Sequence, residues 1–162
     1  TNIINGKWKM EKIKIKEILV NTCKKELQNQ LNELKKAMDD AQFEANQHKG
    51  AMESRYDSFK EEAQARVSGF AKQIDTKMRV VPEITKISTK ALNNSVVHGS
   101  VVKTDVENYF FSAYIVDNPI NIDGEDYLPI SINSPLGINA EGKKVGDSVK
   151  IGDDVIKIRD VF

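Results

Sequence analysis

The sequence predicts an α+β protein: an N-terminal antiparallel coiled-coil hairpin over residues 1–79, a connection over 80–95, and a small antiparallel β domain over 96–162. Three observations carry that reading. Apolar residues in the first half recur at steps of three and four. Gly50 interrupts the pattern near its middle. Beyond Pro82 the helical period gives way to short runs rich in Val, Ile, Tyr and Phe, separated by Asp, Asn and Gly.

The first stripe runs through Leu27, Leu31, Leu34, Met38, Ala41 and Ala45, with Lys, Glu, Gln and Asn filling the other positions. It starts less regularly through Ile15, Leu19 or Val20, and Cys23. The second stripe is Met52, Tyr56, Phe59, Ala63, Val67, Phe70, Ile74 and Met78. Two apolar stripes of similar length imply two helices that cover each other. The short connection "NQHKGA" makes them antiparallel neighbours, with a tip at residues 46–53. No functional meaning attaches to "TNIINGKWK" before Met10.

Pro82 is expected to end any helix near it, since its nitrogen has no hydrogen to donate and its ring clashes with the preceding turn. "ITKISTKALNN" then reads as a polar connection. "VVHGSVVKT", "ENYFFSAYIVD", "DYLPISIN" and "DVIKIRDVF" supply four or five strands with "KKVGDSVKI", where a turn precedes a strand. Asn118-Pro119 and Asp123-Gly124 mark a surface loop or hairpin turn, and "IGDDVI" a second tight turn. Ser134 before Pro135 reads as an N-cap with proline at the first helical position. "PLGINAEG" therefore makes one or two helical turns ending at Gly142.

Composition narrows the function classes. Lys plus Arg and Asp plus Glu both number 24, so net charge gives no bulk attraction to nucleic acid or anionic membrane. The lone Cys23 excludes an intramolecular disulfide framework and a cysteine-built zinc site, and at its helical spacing it reads as a packing residue. No apolar run approaches the roughly 20 residues of a membrane span. The expectation is a cytoplasmic protein, monomeric and without membrane association. His48 and His98 lack the partners of a zinc site. No phosphate-cradling glycine loop or nucleophile–base set marks an independent enzyme.

"ISINSPLGINAEGKKVGDSVKI", with "VVHGSVVKT" upstream and "VIKIRDVF" at the end, resembles the C-terminal domain of the Gre transcript cleavage factors, the bacterial GreA and GreB proteins. The shared features are a Val-x-x-Gly first strand, a Ser-Pro-Leu-Gly turn and a Gly-Lys-Lys-x-Gly-Asp segment. The resemblance implies that the β domain is FKBP-like and that the chain binds bacterial RNA polymerase as an accessory factor. It further implies that the coiled coil enters the secondary channel, in indirect contact with nascent RNA. Ser134, Pro135, Leu136, Gly137, Lys143 and Lys144 are then the candidate polymerase-binding residues; the two lysines read equally as solubilising residues of an exposed turn.

In that family, acidic residues at the hairpin tip help hold a second metal beside the polymerase's own Mg²⁺ and position a water that cleaves backtracked RNA. Carboxylates suit this role, being hard oxygen ligands. No cofactor is expected to be held stably by this chain alone. Its tip departs from the family's Asp-x-x-Glu-Asn-x-Glu-Tyr pattern: with Tyr56 matched to the family tyrosine, the paired acids fall on Lys49 and Met52. The candidate tip carboxylates are instead Glu44, Glu53 and Asp57. Glu53 and Asp57, at i and i+4 on one helix face, form the candidate metal pair. Glu53 equally suits the first turn of the second helix, where negative charge is favourable to the helix dipole, and Asp57 reads equally as a partner of Arg55 or Lys60 or as a solvent-facing residue.

Three alternatives stay open on the residues: a non-cleaving channel occupant, a prolyl isomerase or chaperone with a helical arm, and a coiled-coil adaptor. Tyr109, Phe110, Phe111 and Tyr114 read either as RNA-stacking aromatics or as strand core.

Overall fold

The structure is a computed structural model, and it describes residues 2–47 and 53–162, with the side chains of 2 and 53–56 left out. Its elements in chain order are α1 (Asn2–Gln47), α2 (Glu53–Thr85), β1 (Val101–Thr104), β2 (Asn108–Phe111), β3 (Ile120–Ile122), β4 (Glu125–Ile130), α3 (Pro135–Ala140), β5 (Ser148–Ile151) and β6 (Asp154–Val161). A helical region followed by a mostly antiparallel sheet is the expected fold class. By packing, the chain divides into two compact units, Leu27–Val81 and a discontinuous one of Thr1–Glu26 with Pro82–Phe162.

The unit Leu27–Val81 is a pair of antiparallel helices. Lys77 Nζ donates to Gln30 Oε1 at 2.7 Å, and Arg66 meets Glu44 at 3.0 Å. The residue farther along α2 thus meets the residue earlier in α1. Among its described residues the buried side chains are Leu27, Ala41, Ala45 and Ala63, mostly small ones that let two helix backbones approach closely. Two stripe members depart from expectation: Phe59 and Met78 are exposed, at 42% and 52%. A single partner helix covers only a narrow strip of its neighbour, and wide side chains at the strip's margin reach solvent.

Within the discontinuous unit, the sheet has the order β3-β4-β2-β1-β6-β5. Six strands form where four or five were expected, because Ile120–Ile122 pairs with Glu125–Tyr127 across a two-residue Asp123-Gly124 turn. Both turn residues have positive φ, 52° and 85°, the conformation a tight hairpin requires of its central pair. One pairing is parallel, β2 with β4, and no periodicity in the sequence announces it.

One sheet face carries Val102, Tyr109, Phe111, Ile156, Ile158 and Val161, which cluster with Val96, Ala140 and Val149. Leu136 of α3 packs against them. The opposite face carries Val101 and Phe110, register partners that are both fully buried. The N-terminal part of α1 lies on this side: Lys12 Nζ bonds Asp160 at 3.0 Å, and Cys23 is hydrogen-bonded to Ser112. Leu19, Val20 and Cys23 are fully or nearly fully buried. The stripe starts irregularly here because these turns of α1 pack in the sheet unit, while the regular stripe from Leu27 belongs to the other unit.

Pro82 does not end α2. It sits inside the helix, which runs on to Thr85, so residues 80–85 extend the helix rather than open the connection. Proline costs the helix one donor, but the backbone recovers beyond it: Lys86 N–H donates to Pro82 O at 3.1 Å and Ile87 N–H to Ile84 O at 3.2 Å. Ile84 is fully buried and anchors that last turn.

Candidate functional site

The loop and helix around Ser134–Asp147 show what each residue of the distinctive block does for the fold. Ser134 caps α3, its Oγ accepting from Gly137 N–H at 3.1 Å, and Pro135 occupies the first turn, where its missing donor costs nothing. Leu136 enters the core. Gly137 lies so close to the chain before it that a Cβ would stand 2.3 Å from Ile132 O, and only glycine fits. Gly142, at φ 79°, follows the helix in the left-handed conformation and donates to Val96 O at 2.8 Å. Lys143 O accepts from Val96 N–H at 2.8 Å, and Lys144 N–H donates to the Asp147 carboxylate at 2.8 Å.

All six candidate docking residues thus have a role in the fold, Ser134, Pro135, Leu136 and Gly137 through capping, packing or close approach, and Lys143 and Lys144 through backbone hydrogen bonds. Lys144 is exposed, and Lys143 lines a shallow hollow with Lys150, Asn139 and Ser148. Ile138 stands out from α3 at 65% exposure. Exposed residues around the block include Pro135, Ile138, Lys144, Val145 and Lys150, with Ser134 and Lys143 partly exposed and Gly137 buried.

In the hairpin, Glu44 is tied to Arg66 across the two helices at 3.0 Å, both side chains more than half exposed. Asp57 is exposed, one turn beyond the start of α2 at Glu53. The Glu53 side chain, and residues 48–52 with His48, Lys49, Gly50 and Met52, lie outside the described residues. Among the described residues no three His, Cys, Asp or Glu side chains gather in a way that could hold a metal ion.

The aromatic alternative resolves toward packing. Tyr109, Phe110 and Phe111 are buried, with Tyr109 and Phe111 rings 6.4 Å apart on one face. Tyr114 alone is exposed, its hydroxyl donating to Asp117. His98 is half-buried, its Nε2 2.7 Å from Glu83 O. A cleft of about 260 Å³ beside β2 and β4 is lined by Val106, Glu107, Asn108, Pro119, Asp126 and Leu128, without an aromatic side chain. No described helix is long and apolar enough to cross a membrane.

Two structures of known proteins are similar to this chain. One is GreA factor homolog 1 (Gfh1) of Thermus thermophilus, 15% identical over 84% of this chain and 92% of that one, with a TM-score of 0.33. The other is a structure of the transcription factor Gfh1, 18% identical over 82% and 87% of the two chains, with a TM-score of 0.32. No protein-family description and no curated protein matches the sequence.

The sequence reading passed over Lys16. Its side chain is fully buried, Nζ donates to Ala91 O at 2.8 Å, and burial lowers its pKa to about 8. Burial likewise raises the Cys23 thiol to about 11, against the opposing hydrogen bond from Ser112, so Cys23 is an unreactive packing residue. Lys12 is held between Asp160 and the Phe162 ring, 5.1 Å from its centroid. The signal for the two lysines was the lysine-rich start of α1, which reads as a solvated face.

Proposed function

We propose that this chain is a Gre-like accessory factor of bacterial RNA polymerase, acting through the polymerase active site rather than through one of its own. The observation that carries the reading is the Ser134–Asp147 block, which resembles the Gre C-terminal domain in order and spacing. A helical hairpin, Leu27–Val81, accompanies it in the same chain. In this reading the hairpin enters the secondary channel, and Lys143, Lys144 and Lys150 meet acidic polymerase surface.

Whether RNA cleavage follows depends on the carboxylates. The polymerase's own Mg²⁺ would supply the activated water, and only Glu53 and Asp57 remain to approach it from this chain. Glu44 is engaged by Arg66, an observation that favours the second reading: a non-cleaving factor that occupies the channel and limits nucleotide access.

A backtracked elongation complex with end-labelled RNA tests both. Binding with Mg²⁺-dependent shortening of the RNA, lost in Glu53→Lys/Asp57→Lys with binding retained, supports the cleaving factor. Binding that slows nucleotide addition without shortening supports the occupant. A chain that does not bind polymerase removes both.

A further inference from the structure

The first turns of α1 carry a third apolar stripe, open to solvent at Ile3, Gly6 and Met10 and partly covered at Ile13. Ile3, Gly6, Met10 and Ile13 recur at steps of three, four and three, the same phase rule as the hairpin stripes. Ile3 is 88% exposed and Met10 72%. They line a groove of about 1030 Å³, walled on one side by Lys90 from the connection after α2. All of these residues belong to the discontinuous unit.

We propose that this groove docks one α-helix of another protein, an amphipathic helix whose apolar seam is flanked by Asp and Glu. Two features select that occupant. At 100° per residue the stripe spans an arc of only about 80°, the width of a two-helix seam rather than the broad apolar face that lies in a bilayer. Ile4 and Trp8, also exposed, fall outside it. The flanks are the second feature. With Ile3 and Met10 at a positions, Lys7 and Lys14 take e and Lys9 takes g, and Lys90 adds a fourth cation at the rim, against Glu11 at b, while Glu17 at the next a position ends the apolar seam. A second copy of this chain would set lysine against lysine along both flanks, whereas acidic flanks pair with them. Gly6, with no atom within 4 Å of where a Cβ would stand, leaves room for a large side chain of the incoming helix.

The proposal is independent of the polymerase reading. The test uses the full chain and two fluorescent synthetic helices of about four heptads with Leu at a and d: one has Glu at every e and g, the other Lys. Like charges keep each peptide from pairing with itself. The expected result is binding of the Glu-flanked peptide at least about tenfold tighter than the Lys-flanked one. Lys7→Glu/Lys9→Glu/Lys14→Glu should invert the preference, and Met10→Asp should abolish binding of both. These positions are solvent-facing, so an unchanged circular dichroism melt verifies the fold of each variant. Equal affinity for the two peptides, or none for either, overturns the proposal. So does dimerisation of the chain that Met10→Asp abolishes, or binding to phosphatidylserine vesicles without preference between the peptides.

Discussion

The two packing units solve the same problem with different means. Among its described residues the hairpin unit buries a line of four side chains, three of them alanines, and leaves Phe59 and Met78 exposed. The sheet unit buries aromatic and branched residues on both faces of one sheet, among them Phe110, Phe111, Tyr127 and Ile158. Two helices alone have only one shared strip to remove from water, while a sheet covered on both sides has two surfaces. Damage to a single side chain should therefore cost the sheet unit far more than the hairpin.

Gly137→Ala should produce the largest effect, at least about 3 kcal/mol, because the added methyl meets the backbone of Ile132 rather than a movable side chain. Urea titration should show the sheet unit unfolded or nearly so while helical signal persists. Phe110→Ala should cost about 3–5 kcal/mol. Leu34→Ala, at a half-buried stripe position, should cost about 1 kcal/mol, within the range of an ordinary substitution. If the two midpoints shift equally, the contrast between the units fails.

Lys16 sharpens the comparison with a pH dependence. Its folded pKa of about 8 lies below the ordinary 10.5, so above pH 8 the unfolded chain holds a proton that the folded chain has lost. Stability should rise with pH there, by about 1 kcal/mol between pH 8 and 9. Above pH 9 the thiol of Cys23, raised to about 11, works in the opposite direction: the unfolded chain loses that proton first. Unfolding of Lys16→Met across pH 7.5–9 should lose the upward slope, and a slope retained in that variant would assign it elsewhere.

The smallest effect belongs to the pair across the hairpin. Arg66→Ala should cost about 0.2–1 kcal/mol, vanishing in high salt, since both side chains of the Glu44 pair are exposed.

Much of this contrast was legible in the residues. The 3–4 spacing from Leu27 to Ala45 located the first hairpin helix, and Ser134-Pro135 with Gly142 located α3 to within two residues. What escaped was tertiary. Nothing local to Asn108–Phe111 or Glu125–Ile130 says that the two strands lie parallel, and Lys16 looks like any solvated lysine until the Ala91 carbonyl is placed beside it. Pro82 misled because proline's cost is local, whereas the burial of Ile84 that offsets it is not. The candidate site was legible as a motif but not as a surface. Ser134 and Gly137 answer backbone constraints, and of the exposed side chains around them Lys144 was singled out by the sequence while Ile138 and Lys150 carry no sequence signature.

The discontinuity of the sheet unit also sets an order of events during synthesis. Helix pairing over Leu27–Val81 joins residues close in sequence and can form as soon as they leave the ribosome. The first 26 residues cannot finish with it. Leu19, Val20 and Cys23 must stay without their packing partners until the sheet exists. The sheet in turn must wait for β6, because the strand that flanks β1 on one side, and holds β5 on its other, is the last of the six in chain order. Until β6 is made, the chain therefore carries the apolar side chains of Leu19, Val20 and Cys23 without their cover, a surface open to wrong partners.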